Sequence, residues 1–211
     1  MDQESSKFRD PAPGSGPDTL SLSGKVAIIT GSGKEPGIGA GIAAALARNG
    51  AAVVINYLSD STAPRAESLA SRLQGTFGSR AVAIQADIES RTGADLLVAK
   101  TLEAFRSPNV HILVNNAGCN LPGSTLDTPE EDIHKQFSKN VFGAIHMVRA
   151  VVPHMPSGGR IINISSTAGR ASYTSIPFYN AAKAALDSLT HTWAGEVCLS
   201  ALLRVLRIHN C

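Results

Sequence analysis

Cysteine is scarce in this chain: Cys119, Cys198 and Cys211 are the only three among 211 residues. They are too few and too far apart for a disulfide framework or for the closely paired ligands of a zinc site. The histidines His111, His134, His146, His154, His191 and His209 show no metal-like pairing either, so no metal is expected. An excess of one charge is missing too: 19 basic residues stand against 17 acidic ones, the formal net charge is +2, and no block of like charges occurs. Such a chain offers no electrostatic footprint for nucleic acid or for an anionic membrane surface. No apolar run approaches the roughly 20 residues that span a bilayer. The opening residues Met1-Asp2-Gln3-Glu4-Ser5-Ser6 lack the basic and apolar stretches of a signal peptide. These absences leave the expectation of a soluble, cytoplasmic protein in a reducing compartment, acting on a small molecule.

What is present is a regular alternation. Residues 1 to about 22 hold Pro11, Pro13, Pro17, Gly14 and Gly16 among charges and serines, too little apolar surface to offset ordering, and are expected to be a disordered tail. The remainder, residues 23–211 of a chain that is 43% hydrophobic, suffices for one sizeable core and is expected to form one domain. Short apolar runs at Val26–Ile29, Ala51–Ile55, Ala81–Ile84, His111–Val114 and Arg160–Ile164 have the composition of strands buried on both faces of a parallel sheet. Helical segments are predicted between them, at about 38–49, 61–74, 92–106, 129–155 (broken in two) and 177–199. Strand and helix in alternation mean a doubly wound α/β fold, with helices layered on both sides of the sheet. One helix start is marked in the sequence: Thr128 as cap, Pro129 at the first helical position and Glu131 completing a capping box. Trp193, Leu186, Leu189 and Val197 recur at helical spacing and read as packing.

The first strand runs into Thr30-Gly31-Ser32-Gly33-Lys34-Glu35-Pro36-Gly37-Ile38-Gly39, which opens a helix near Ala40. Glycines there let backbone approach a pyrophosphate, and the helix N-terminus adds unpaired N–H groups and partial positive charge. Asp87-Ile88 follows the third strand and Asn115-Asn116-Ala117-Gly118 the fourth, both at carboxyl ends, where open α/β sheets bind ligands. Singly, each is an ordinary turn or cap; together they mark a site. The second strand ends Ile55-Asn56-Tyr57-Leu58-Ser59, without the carboxylate that would hydrogen-bond a ribose 2′-hydroxyl and repel a 2′-phosphate. Lys34, in the glycine-rich loop, could reach such a phosphate, which favours NADP(H) over NAD(H); a solvated surface charge is the alternative for this residue.

Tyr179 and Lys183 stand four apart on a predicted helix and therefore share a face. A nearby ammonium favours the ionised phenol, bringing it toward use as an acid or base near neutral pH. Tyr179 is expected to protonate a carbonyl oxygen while hydride reaches the carbon, and a serine from Ser165-Ser166 would hydrogen-bond the same oxygen.

In order along the chain, Thr30-Gly31, Gly37-Ile38-Gly39, Asp87-Ile88, Asn115-Asn116-Ala117-Gly118, Asn140, Ser166 and Tyr179-x-x-x-Lys183 resemble the motifs of the short-chain dehydrogenase/reductase family, over roughly residues 23–198. The resemblance implies a Rossmann-type sheet and a nicotinamide cofactor. It places Gly31, Gly37, Ile38 and Gly39 at the cofactor, Asp87 near the adenine, and Asn115, Ala117 and Gly118 in a loop beside the cofactor that also stabilises the sheet. It further implies that Lys183 binds the nicotinamide ribose and that Asn140 holds a water linking the relay to solvent. The family's serine lies thirteen positions before the tyrosine, which selects Ser166 with Ser165 as the alternative. The loop departs from the family in having five residues rather than three between Gly31 and Gly37. Members pair through two long helices, here around 140–155 and 177–199, so a homo-oligomer is expected.

The family continues into a sixth strand, a substrate-covering segment and a seventh strand. Here Arg204-Val205 stands near the place of the sixth, yet Arg207 and His209 suit a strand buried on both faces poorly. Leu199, Leu202, Leu203 and Leu206 form a stripe that would prolong the last helix. The expectation is a helical or frayed end, a sheet lacking its last one or two strands, and a fifth strand left as an open edge. Two readings follow: an NADP-dependent oxidoreductase interconverting a carbonyl and a secondary alcohol, in secondary metabolism, or a truncated, weakly active relative that binds nucleotide or pairs with a full-length partner.

Overall fold

The computed structural model describes residues 21–171, 173–201 and 204–210, with side chains as far as residue 196. Residues 1–20 of the expected tail lie outside the described residues, and the tail ends sooner than its composition implied. Leu22 already donates its N–H to Asn49 O at 2.7 Å and packs against the core.

Strands β1 (Val26–Ile29), β2 (Ala52–Tyr57), β3 (Ala81–Gln85), β4 (Ile112–Asn115), β5 (Arg160–Ser166) and β6 (Arg204–Asn210) form one parallel sheet in the order β3-β2-β1-β4-β5-β6. Between them run α1 (Ile38–Arg48), α2 (Ala63–Phe77), α3 (Arg91–Phe105), α4 (Glu130–Phe137), α5 (Gly143–Val151) and α6 (Pro177–Ala201). Alternate residues of each strand feed opposite faces. Ala27, Ile29, Val53 and Ile55 join Ala43 and Ala47 of α1 and Leu69 and Leu73 of α2 on one side. Val26, Ile28 and Val54 join Leu97 of α3, Met147 of α5 and Leu186 and Trp193 of α6 on the other. The result is the three-layer Rossmann-type architecture, and strand order reverses between β1 and β4, where such sheets open a crevice at their carboxyl ends.

Three expectations need correction. The tail is helical only as far as Ala201, where α6 ends; beyond it β6 pairs in parallel with β5, from Arg160 opposite Arg204 to Ser166 opposite Asn210. The leucine stripe has helical period, but the open edge of β5 presents a row of unpaired N–H and C=O groups that a strand satisfies and a helix does not. Among the described residues β6 is the outermost strand, paired with β5 alone. Second, the break in the segment 129–155, which divides it into α4 and α5, is not a loop but a π-helical turn, Ser138–Phe142, that joins the two helices directly. Third, Thr128 does not cap α4. Its hydroxyl donates to Ser124 O at 2.6 Å, and the extended Pro129 occupies the cap position without a side-chain bond. Glu130, Glu131 and Asp132 instead place negative charge on the first turn, where the helix dipole favours it.

A buried polar chain fastens α6 to the sheet. Asn115 Nδ2 donates to Asn163 Oδ1 at 2.8 Å, Asn163 Nδ2 donates to Thr190 Oγ1 at 2.8 Å, and Thr190 donates to Leu186 O at 2.7 Å. Asn163 and Thr190 are buried, so cutting the chain strands polar atoms away from water. Asn163→Ala should lower the unfolding free energy by about 2 kcal/mol in urea titrations, whereas Thr192→Ala, on the exposed face of α6, should cost far less.

Candidate active site

Two loops meet at the strand-order reversal. After β1 the chain turns at Gly31, whose φ of +61° lies in the left-handed region that glycine enters at no steric cost. A Cβ there would stand 2.8 Å from Ala117 Cα, so the loop after β4 leaves no room for a side chain. Thr30 Oγ1 accepts the N–H groups of both Asn116 and Ala117 at 3.0 Å, and Asn116 Nδ2 donates back to Thr30 O at 2.8 Å. Asn56, at the end of β2, completes the frame. Its Oδ1 accepts Gly31 N–H at 3.1 Å, and its Nδ2 donates to Ala86 O at 3.1 Å, tying the turn to the segment after β3.

These loops enclose a cleft of about 310 Å³. Gly31, Gly37 and Ile38 line it at the mouth of α1, Asp87 and Ile88 on the β3 side, and Ala117 and Gly118 on the β4 side. The N-cap Gly37 brings no side-chain hydrogen bond to α1, so the first-turn N–H groups face the cleft uncapped. Gly39, also in the lining, could carry no Cβ, since one would approach Asn116 Nδ2 to 2.5 Å. Close backbone, uncapped N–H groups and a helix dipole fit a pyrophosphate. Lys34 reaches the same lining, while its neighbour Glu35 is paired with Arg72. Asp87 is turned partly on its own loop, Oδ1 accepting Glu89 N–H at 2.9 Å.

Asn115 is the exception among the sequence-predicted cofactor residues. It is buried beneath the loop, bonded to Asn163, and absent from the lining; Asn116, one residue on, lines the cleft instead. Strand alternation is the reason: consecutive side chains at the end of β4 point to opposite faces.

A second cavity of about 160 Å³ adjoins the first, sharing Ile38, Asn116 and Gly118 with it, and Asn140, Ser165, Tyr179 and Lys183 line it. Lys183 is only 4% exposed and donates to Ile164 O at 2.9 Å. Its ammonium sits 5.6 Å from the ring centre of Tyr179, one turn earlier on α6. Asn140 rides on the π-helical turn, where Nδ2 donates to both Cys119 O and Gln136 O at 2.8 Å. Its Oδ1 is buried without a partner. A Cβ on Gly118 would stand 2.5 Å from that Oδ1 and 3.6 Å from Lys183 Nζ, so the loop after β4 lies against both atoms and has no room for a side chain there.

Of the two serines, Ser165 lines the cavity, buried and with its hydroxyl unpartnered, while Ser166 Oγ accepts Ala168 N–H at 3.1 Å and caps a short 3₁₀ turn. Sequence reasoning passed over Thr30, Asn56, Asn163 and Cys119. A polar residue at the carboxyl end of an otherwise apolar run, as in Val53-Val54-Ile55-Asn56, is the signal that could have found the first two, and Asn163 is marked instead by interrupting the run Ile161-Ile162-Asn163-Ile164. Cys119 lines the smaller cavity with no such mark.

Comparison with known proteins places this geometry in context. The sequence profile described as short chain dehydrogenase matches residues 25–208. An uncharacterized oxidoreductase of Methylorubrum extorquens is 36% identical over 176 residues, covering 83% of this chain and 68% of the relative. The L-xylulose reductase of Aspergillus niger is 36% identical over 194 residues, covering 84% and 64%. Among solved structures, a blue fluorescent protein from a metagenomic library in complex with NADPH superposes with a TM-score of 0.82 at 35% identity, over 90% of this chain and 74% of that one. A 7α-hydroxysteroid dehydrogenase complexed with NADH and 7-oxo glycochenodeoxycholic acid gives 0.82 at 34% identity, over 90% and 71%. The chain thus spans about two thirds of the length of the curated relatives it matches.

Burial lowers the Lys183 ammonium from its ordinary 10.5 to about 8, with Cys119 and Asp187 opposing the shift. Burial penalises the charged form, so the folded state carries the full penalty below pH 8. Between about 8 and 10.5 the unfolded chain binds more protons, and stability rises with pH. Relative to Lys183→Met, the wild-type unfolding free energy should therefore gain about 2 kcal/mol between pH 7 and pH 10, read from paired denaturant titrations; a constant difference would contradict the burial argument.

Proposed function

The chain belongs to the short-chain dehydrogenase family, and from that premise we propose that it is an NADP-dependent oxidoreductase interconverting a ketone and a secondary alcohol. The observation that carries this reading is the adjacency of the two cavities: Tyr179, Lys183 and Asn140 border the smaller, which shares Ile38, Asn116 and Gly118 with the cleft at the mouth of α1. A reduced nicotinamide bound there would supply hydride to the substrate carbon.

The chain's own residues do the remainder. Tyr179 donates its phenolic proton to the carbonyl oxygen as negative charge develops on it. Lys183, charged below about pH 8, stabilises the phenolate left behind and holds the nicotinamide ribose. Asn140 offers its unpartnered Oδ1 to a water that passes a proton inward past Lys183. Ser166 or Ser165 donates to the same substrate oxygen; Ser166 has the family's spacing, and the buried hydroxyl of Ser165 has the cavity position. Gly31, Gly37, Ile38 and Gly39 cradle the pyrophosphate, with Asp87 at the adenine and Ala117 and Gly118 along the nicotinamide half. Asn115 serves the cofactor through the sheet rather than by contact.

The preference for NADP(H) rests on the end of β2, where Asn56, Tyr57 and Leu58 offer no carboxylate, and on Lys34 in the lining without an ion-pair partner among the described residues. For the substrate, a hydroxynaphthalene reductase of Aspergillus fumigatus and the L-xylulose reductase of Aspergillus niger are similar in sequence, which supports reduction of a carbonyl, and we place that ketone in secondary metabolism. A cytoplasmic location and a homo-oligomer formed through the helices around 140–155 and 177–199 complete the proposal.

Two measurements check it. With NADPH as donor and a panel of cyclic ketones, Tyr179→Phe should lose turnover by about 10²- to 10⁴-fold while NADPH binding, followed by nucleotide fluorescence, stays near wild type; full turnover in the variant would remove Tyr179 from the relay. Lys34→Ala should weaken NADPH about fivefold or more and leave NADH unchanged; tighter binding of NADH than NADPH by the wild type would reverse the cofactor assignment.

A further inference from the structure

The smaller cavity depends on Asn140, and Asn140 stands on a π-helical turn rather than on regular helix. Such a turn carries one residue more than the ladder accommodates, so its side-chain directions are set by outside contacts. The Asn140 side chain is held through its Nδ2, to Gln136 O within the helix and to Cys119 O in the loop after β4. Across the cleft, the segment after β3 touches the same turn and the start of α5 at three places. Lys139 Nζ lies 3.5 Å from Glu89 Oε1, with both side chains about three-quarters shielded from solvent, at 27% and 25% exposure. Ile88 Cδ1 lies 3.2 Å from where a Cβ on Gly143 would stand, so the Ile88 side chain packs directly on the Gly143 backbone. His146 Nδ1 lies 3.3 Å from Ile88 O. The segment Asp87-Ile88-Glu89 is also one wall of the larger cleft, and Lys139 lines that cleft beside it.

We propose that the Glu89–Lys139 ion pair is a strap that positions the Asn140 turn, fixing the proton-relay end of the site to the loop that walls the adenine end. Lys139 and Glu89 are positioning residues, acting on the substrate only through Asn140. This rests on the proposed function for its purpose, and on the geometry alone for its existence. Of the three contacts the ion pair is the one made by side chains on both partners, and it adjoins Asn140 in sequence.

Cys119 reports on the turn without any substrate. Its carbonyl accepts from Asn140, its Sγ lies 4.0 Å from Asn140 Nδ2 and 3.9 Å from Lys135 O, and it lines the smaller cavity partly buried. Alkylation of Cys119 by N-ethylmaleimide is measured by peptide mass spectrometry on the nucleotide-free full chain. The chain is compared as wild type, Glu89→Gln, Lys139→Met, Lys139→Arg and the reversed pair Glu89→Lys with Lys139→Glu, with the unfolding midpoint recorded for each. A loosened turn exposes the thiol, so both Glu89→Gln and Lys139→Met should react about fivefold faster, the size expected of a partly buried pair. Lys139→Arg and the reversed pair should return to within twofold of wild type, all with similar unfolding midpoints.

The electrostatic effect on the thiol alone predicts otherwise. Lys139 favours the thiolate and Glu89 opposes it, so Lys139→Met would then slow the reaction and Glu89→Gln speed it. Opposite directions in the two single variants, equal rates throughout, or a reversed pair that does not recover would each overturn the strap. Because the readout is taken without nucleotide, failure of NADPH to bind would count against the proposed function and leave this result standing on its own.

Discussion

Everything at the carboxyl edge of the sheet hangs on the contact between the turn after β1 and the loop after β4. Thr30 supplies one hydroxyl to two backbone N–H groups of the other loop, and Gly31 lets the backbones close to a distance no side chain would allow. Neither interaction is strong alone, at about 1 kcal/mol for a net hydrogen bond. Their effect is geometric. They hold the two crossover loops together at the one place where strand order reverses, so that the mouth of α1 faces the residues leading toward α4. With that contact opened, the cleft would lose a wall and the smaller cavity its shared border at Asn116 and Gly118.

The second requirement is that α6 lie flat on β5. The chain from Asn115 through Asn163 to Thr190 does this from inside, and the bond from Lys183 to Ile164 O does it at the site. Under the proposed mechanism Lys183 has two duties that conflict: it anchors a helix in a buried place, and the relay asks it to keep a charge there. Burial brings its ionisation down to about 8, close enough to neutrality that the charge survives at physiological pH with little to spare. A site that depends on this ammonium is necessarily sensitive to small changes in its surroundings, including what fills the adjoining cleft.

The sheet was legible because a parallel sheet buries both faces of its strands, and five apolar runs such as Val26–Ile29 and Arg160–Ile164 say so without reference to partners. The turn glycines and the Tyr179-Lys183 spacing were legible for a similar reason, being local in sequence. What could not be read was decided across the molecule. Arg204–Asn210 has helical period upstream and two polar residues within, yet the vacant hydrogen-bonding edge of β5 draws it into the sheet. Thr128 has the right neighbours for a capping box, but a carbonyl four residues earlier competes for its hydroxyl. Asn115 and Asn116 are indistinguishable in sequence, and only the alternation at the end of β4 sends one inward to Asn163 and the other to the cleft. The same alternation divides Ser165 from Ser166.

The central claim is that one continuous crevice seats a dinucleotide with its reactive end at Tyr179 and its other end at Asp87. A crystal structure of the full chain with NADP⁺ tests it most directly. The account predicts the pyrophosphate on the first turn of α1 beside Gly37 and Gly39, the adenine against Asp87 and Ile88, and the nicotinamide within reach of Tyr179 and Lys183. A dinucleotide bound in the reverse sense, or bound away from the glycine-rich turn, would contradict it.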